Sequence, residues 1–240
     1  MKNEETNKIV EDIRKGTVDI NNQESFYGIL IKGLLLRLDD DISIRGNKVP
    51  HFILHTGDDI MYLQNKGQNN SIEPLEVSNE NYIYNKVPRC IVNPAGINLI
   101  TDQLTNPYTL GQLQYSDQNH TILLTGEFRR MPIKFACDIK YYVDSYTDML
   151  ELMQQITTKL AFIKTYNIVY MGQTIKCTYQ IPTDFSGEYM TDIDGTTADS
   201  KYKTLSLSLE VESNMPIYSE KTIMSADQYI KDIQVNTKEI

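Results

Sequence analysis

From Ile133 to Val143 the chain alternates strictly. Ile133, Phe135, Cys137, Ile139, Tyr141 and Val143 are separated by Lys134, Ala136, Asp138, Lys140 and Tyr142. A period of two is the pattern of a strand with one buried face. It recurs at Leu205, Leu207, Leu209 and Val211, interleaved with Ser206, Ser208, Glu210 and Glu212. Between the two runs the period changes. Ser145 followed by Asp148 is a capping-box-like start with Asp in place of Glu, and Met149, Leu152, Met153, Ile156 and Leu160 supply a helical stripe. Lys159 and Lys164 lie near the negative end of that helix. Asn167 to Met171 and Thr174 to Ile181 read as a tight hairpin across Gly172-Gln173. The order strand, helix, strand, strand, strand predicts an α+β fold, a mostly antiparallel sheet with a helix packed across one face.

The first half is less regular. Tyr27, Leu30, Ile31, Leu34, Leu35 and Leu38 form one broad helical stripe. Asp39, Asp40 and Asp41 follow it. Three carboxylates oppose the macrodipole at a helix C-terminus, so they are predicted to lie in a solvated turn beyond the last helical residue. Val49 to Leu54 reads as a strand entered through Pro50, and Tyr82 to Val92 as another, broken by Pro94 and Gly96. Tyr108 to Tyr115 and Thr121 to Phe128 flank a polar connection, Ser116 to His120, of hairpin-loop length. The 240 residues show no fixed-period repeat and no linker, so one domain over 1–240 is expected, with an N-terminal helix. Residues 1–22 and 219–240 are expected to be peripheral, extended terminal arms.

Charge and cysteine usage exclude several functions. Twenty-three basic against 32 acidic side chains give a net charge of -9, which argues against a protein that grips DNA or RNA by its phosphates. Cys90, Cys137 and Cys177 show no CxxC spacing, which argues against a disulfide framework or a thiolate metal site. The longest apolar run, Phe26 to Leu38, is interrupted by Lys32 and Arg37 and falls short of the roughly 20 residues of a membrane span.

Catalytic lookalikes fail on context. Asp192-Ile193-Asp194-Gly195-Thr196 matches the nucleophile motif of haloacid dehalogenase phosphatases, but that chemistry needs the first Asp at the end of a buried strand and metal-binding acids downstream. A turn-like stretch precedes Asp192, and 44 residues follow Thr196, so the phosphatase reading is disfavoured. Read as a calcium loop, the same segment puts Met190 and Lys201 at ligand positions. His51 and His55, on a strand, share a face about 13 Å apart, too far to hold one metal ion. No P-loop, GxGxxG or GxSxG is present. No catalytic residue, no metal, no cofactor and no enzymatic activity are expected. Arg129, Arg130, Lys134 and Lys140, interleaved with Phe128, Phe135 and Tyr141, form a basic excess better suited to a subunit-facing sheet edge than to nucleic acid.

In order along the chain stand an N-terminal helix, Val49-Pro50, Val87-Pro88-Arg89, Pro132-Ile133-Lys134, Tyr146-Thr147-Asp148-Met149, and Glu210-Val211 running into Asn214-Met215-Pro216. This succession resembles the tail sheath stabiliser and tail completion (tail terminator) proteins of T-even-type contractile-tailed phages, most closely over residues 129–218. The resemblance implies a virion protein assembled in the host cytoplasm as a homo-oligomer, a hexameric ring at the head-proximal end of the tail. Its implied partners are the sheath, the tube-terminating proteins and the neck or connector proteins; DNA passes through without specific binding, and no membrane is involved. Another head-to-tail connector ring is the alternative. Candidate interface residues are Arg89, Arg129, Arg130, Lys134, Met215, Tyr218, Ile230 and Ile233, the last two on an arm expected to reach a neighbour. Asp184, Glu188, Asp192, Asp194 and Asp199 form an acidic loop that would repel DNA if it faced the passage.

Overall fold

A single strand carries most of the pairing. The computed structural model describes residues 2–22, 25–54, 60–64, 71–74, 87–100, 104, 107–117, 120–160, 162–181 and 202–225. Within them β8 (His120–Val143) runs for 24 residues. Along one edge its first part pairs with β7 (Thr109–Asp117), from Asp117↔His120 to Thr109↔Phe128. The same edge then passes to β6 (Arg89–Leu99), from Leu99↔Ile133 to Arg89↔Tyr142. Its other edge holds β11 (Lys203–Tyr218) from Tyr218↔Phe128 to Lys203↔Val143, and β12 (Met224–Ser225) beyond it.

Thr121 to Phe128 and Ile133 to Val143, read from the sequence as separate strands, form one continuous strand through Pro132. The Ile100 amide donates to Pro132 O at 3.0 Å, and proline has no N–H to return the bond. The β6 ladder therefore stops there, and the freed edge is the one β7 occupies. Pro94 does not end β6 either; the strand continues to Leu99 through a register shift between Pro94 and Gly96. Among the described residues the outer edge of β6 is paired from Cys90 to Val92, so Pro94 falls beyond that ladder.

The full order is β5-β4-β3-β6-β8-β11-β10-β9, with β3 (His51–Leu54), β4 (Ile60–Gln64), β5 (Ser71–Pro74), β9 (Lys164–Tyr170) and β10 (Gln173–Gln180). Apart from β3 with β6, every described pair is antiparallel. The β9–β10 turn, Met171-Gly172, has φ of 50° and 75°, the conformation of a tight primed hairpin turn. It reaches across to β7, where the Gln114 amide donates to Met171 O at 2.8 Å and Gln173 Nε2 to Gln112 O at 2.7 Å. The expected Ser116 to His120 connection shortens to residues 118–119 because both strands run on.

One face of the sheet is apolar. The alternating residues of β8 from Ile133 to Val143 are buried, as are Leu205, Leu207, Leu209 and Val211 opposite them. Helix α2 (Phe26–Asp41) begins on the Ser25 cap, whose hydroxyl accepts from the Gly28 amide, and buries Phe26, Leu30, Leu34, Leu35 and Leu38. Tyr166 of β9 donates to Leu30 O at 3.0 Å, and the Phe26 and Tyr170 rings meet edge-on at 5.0 Å. Helix α3 (Tyr146–Lys159) starts on the predicted Ser145 cap and buries Met149, Leu152 and Ile156. The opposite sheet face carries the exposed Asp138 and Ser206 and the half-buried Lys140 and Ser208.

The expected N-terminal arm is instead docked. Helix α1 (Lys2–Arg14) and the turn after it bury Val10, Ile13 and Ile20, and Arg14 Nε donates to Ile223 O at 2.8 Å. The Asn21 side chain bonds both the N–H and the C=O of Tyr218, mimicking a strand partner. At the other end, the Ser219 amide donates to Glu127 O at 2.8 Å and Met224–Ser225 pair with their own β8, while residues 226–240 of the expected arm lie outside the described residues.

Helix α2 comes this close to β9 because position 33 is glycine. A Cβ built there meets Ile168 Cγ2 at 2.7 Å and the Tyr166 ring at 2.8 Å. Gly33→Leu is expected to destabilise the fold by about 1–3 kcal/mol through overpacking, measured by urea unfolding; an unchanged midpoint would show the helix free to move away.

Candidate interaction surfaces

The acidic run at the end of α2 is not the solvated turn expected. Asp39, Asp40 and Asp41 belong to the last turn of the helix, and each holds a different element. Asp39 Oδ1 lies 2.5 Å from His51 Nδ1 of β3, Asp40 Oδ1 accepts from Lys48 Nζ at 2.7 Å, and Asp41 Oδ2 accepts from Tyr179 of β10 at 3.0 Å. Arg37 sits one turn earlier with its Nε 3.1 Å from Asp41 Oδ2, and Lys159 of α3 donates to Asp41 O at 2.5 Å. Five cationic or donor groups thus offset the unfavourable helix dipole. Burial pushes the Tyr179 phenol up to about 12, so it remains a donor at neutral pH.

The Asp39 contact continues inward. A carboxylate only accepts, so His51 Nδ1 donates to it, and His51 Nε2 lies 3.2 Å from Tyr141 OH, in hydrogen-bond contact. Cys90 bonds Tyr141 in turn. Tyr141 thus separates the imidazole from the thiol, and Cys90 and Tyr141 have no exposed surface while His51 is 1% exposed. Burial drives the Cys90 thiol well above its usual range, the opposite of an activated nucleophile. In this state the chain of bonds ties α2 to the centre of the sheet.

A second ion pair sets α3. The hairpin of β1 (Ser43–Ile44) and β2 (Asn47–Lys48) turns through Arg45-Gly46, both at positive φ. From it Arg45 Nε and Nη2 each donate to the buried Asp148 carboxylate at 2.7 Å. Burial acts to raise the Asp148 carboxyl, but the hydrogen bonds from Arg45 and at Ser145 outweigh it and hold the group below the usual carboxylate range.

The structure disperses the predicted interface residues. Arg89 is buried, its guanidinium stacked 4.7 Å from the Tyr142 ring and 5.7 Å from the Tyr202 ring, so it serves its own chain. Tyr218 is also buried, donating to Gln112 O at 3.1 Å with its ring 5.2 Å from Phe128. Lys134 is half-buried and ion-paired with Glu210 at 2.7 Å, and Met215 packs against the core. Arg129 and Arg130 are exposed, Arg129 lying 5.7 Å from the Tyr108 ring. Ile230, Ile233, Asp184, Glu188, Asp192, Asp194 and Asp199 lie outside the described residues.

Apolar exposure concentrates elsewhere. Phe162, Ile163 and Val169, at the start of and along the terminal strand β9, are 70%, 68% and 62% exposed. On β6 beyond its pairing with β3, Ile97 and Leu99 are 45% and 52% exposed. Strand alternation gives no warning for Ile97 and Leu99, which pair with the buried Phe135 and Ile133 and so continue the core face, whereas Val169 lies on the outer face of β9. Among the described residues no group of three or more His, Cys, Asp and Glu side chains could hold a metal ion, and no helix is long and apolar enough to cross a membrane. Comparison with known proteins finds no family model and no curated protein that matches this chain.

Two outcomes check this account. Asp39→Ala leaves His51 buried without its acceptor and should cost about 1–3 kcal/mol, whereas Asp40→Ala, at an exposed pair, should stay within about 1 kcal/mol in the same urea titration. The Asp148 carboxyl is lowered on folding, so its contribution is fully present above about pH 4 and fades as pH falls through the folded value. The stability gap between the natural protein and Arg45→Gln should accordingly hold steady above about pH 4 and close in more acid solution; a gap independent of pH would contradict the pairing.

Proposed function

We propose that this chain is a structural virion protein that forms a homo-oligomeric ring, six copies by resemblance, at the head-proximal end of a contractile phage tail. There it terminates and stabilises the sheath and tube and offers the attachment surface for the neck. The observation that carries the reading is that two strand edges without a described partner, the outer edge of β9 and the second half of β6, are each bordered by exposed apolar side chains. Edges of this kind invite a further strand, and a ring needs one patch of each subunit to meet a different patch of the next.

The landmarks behind the resemblance fall on the elements that build the sheet. Val49-Pro50 leads into β3, Arg89 opens β6, Pro132 marks the change of partner on β8, Tyr146 opens α3, and Glu210 to Pro216 lies in β11. The charge of -9 suits a ring through which DNA passes and is repelled from the wall without being held. On this reading the protein carries out no reaction, and the match at Asp192 to Thr196 is incidental.

Assembly in a mixture tests the proposal. Added to polymerising sheath and tube from the same virion, the protein should cap one end of the polymers and limit their length, seen by electron microscopy. Capture by a neck or portal protein with no effect on sheath would favour the connector ring. Release of phosphate from aryl phosphates in the presence of magnesium would overturn the structural reading.

A further inference from the structure

We propose that neighbouring copies of this chain join edge to edge, the outer edge of β9 lying parallel to the second half of β6 of the next copy, so that the sheet continues from subunit to subunit. This rests on the ring reading above and names the surfaces that would close it. Both segments are seven residues long, Lys164–Tyr170 and 93–99. β9 is the last strand of the sheet, and past Val92 no described strand pairs with the outer edge of β6.

Direction agrees with a rotational ring. β6 runs antiparallel to β8, and so does β9, through the three antiparallel steps of β11, β10 and β9. The two edges therefore point the same way, and a rotation about an axis along the strands brings them together in parallel. A two-fold pairing of β9 with itself would be antiparallel and would end at a dimer.

Side chains agree as well. Ile97 and Leu99 stand opposite Phe135 and Ile133, so they face the core side of the sheet although their own subunit leaves them half uncovered. Laid beside β9 they would continue the apolar face that Tyr166 and Ile168 form beneath α2. Val169, paired with Thr174, lies on the opposite, outer face. Main-chain bonds from such an added strand need no special side chains, and the apolar pair supplies specificity.

Cysteine cross-linking decides it, since Cys90, Cys137 and Cys177 are all buried and stay silent. Asn98→Cys is combined with Thr165→Cys, Asn167→Cys or Val169→Cys, three registers of one edge, and oxidised under mild conditions. The double variant in the correct register should give a ladder of linked multimers, an equimolar mixture of the two single variants should give dimers only, and neither single variant alone should link. Linkage of Asn167→Cys to itself would mean a two-fold contact and overturn the proposal. So would multimers that link in none of the three registers, and so would a chain that remains monomeric. A linked ring that fails to cap sheath would instead sink the tail reading and leave this interface standing.

Discussion

The continuity of β8 is the constraint from which the rest follows. One strand of 24 residues serves four others, two along each edge, and its alternating side chains set which face of the whole sheet is apolar. A one-residue slip anywhere along it would turn Ile133 to Val143 outward and bury Lys134 and Asp138. Long pairing with β11 holds the register through 16 residues, from Lys203 to Tyr218. Against that spine Pro132 acts as a divider: by withholding one N–H it marks where β6 ends and β7 begins, without interrupting the ladder to β11 on the other side.

Helices are attached to this sheet by apolar burial, and their positions are set by carboxylates. Burying five α2 side chains supplies the drive, since each fully buried apolar side chain contributes about 1.5–3 kcal/mol. Burial alone is indifferent to small rotations. The Asp39, Asp40 and Asp41 contacts remove that freedom by fixing the end of α2 to β3, to the β1–β2 hairpin and to β10. The Arg45 fork on Asp148 does the same for α3. Cys90, His51 and Tyr141 are therefore read as the inner end of a locating contact, which accounts for their burial and for the raised thiol.

How much of this was legible varies with the range of the interaction. The alternation in β8 and β11, the Ser145 cap and the β9–β10 hairpin depend on neighbours in sequence, and they stand where the sequence puts them except that the hairpin turns one residue earlier, at Met171-Gly172. The Asp39 to Asp41 run misleads because a helix dipole argument considers an isolated end, while the partners that reverse it, Tyr179 and Lys159, lie 138 and 118 residues away. Arg89 and Tyr218 look like surface residues by type, yet each is buried by an aromatic or amide partner from another strand. The small hairpin at Arg45 was missed although Gly46 marks it, because strands of two residues carry no period. Val10 and Ile13 are too sparse to declare a buried helix; it is the stretch from Tyr218 to Ile223 that gives them a surface to cover.

Among the described residues no cluster of His, Cys, Asp and Glu could hold a metal ion, and apolar side chains stay uncovered at two edges of the sheet. Asp39, Asp41, Asp148, His51 and Cys90 are spent on internal contacts, and Ile97, Leu99, Phe162 and Ile163 are among the apolar side chains left exposed, at two edges of the described sheet. A closed ring of copies covers both of these edges in every subunit, whereas an open filament leaves one uncovered at each end and a two-fold dimer leaves one uncovered in each copy. Native mass spectrometry of the purified chain is the most direct measurement. The account predicts one closed assembly of fixed subunit number, six, that persists on dilution. A monomer at every concentration, or a series of masses that grows without closing, would contradict it.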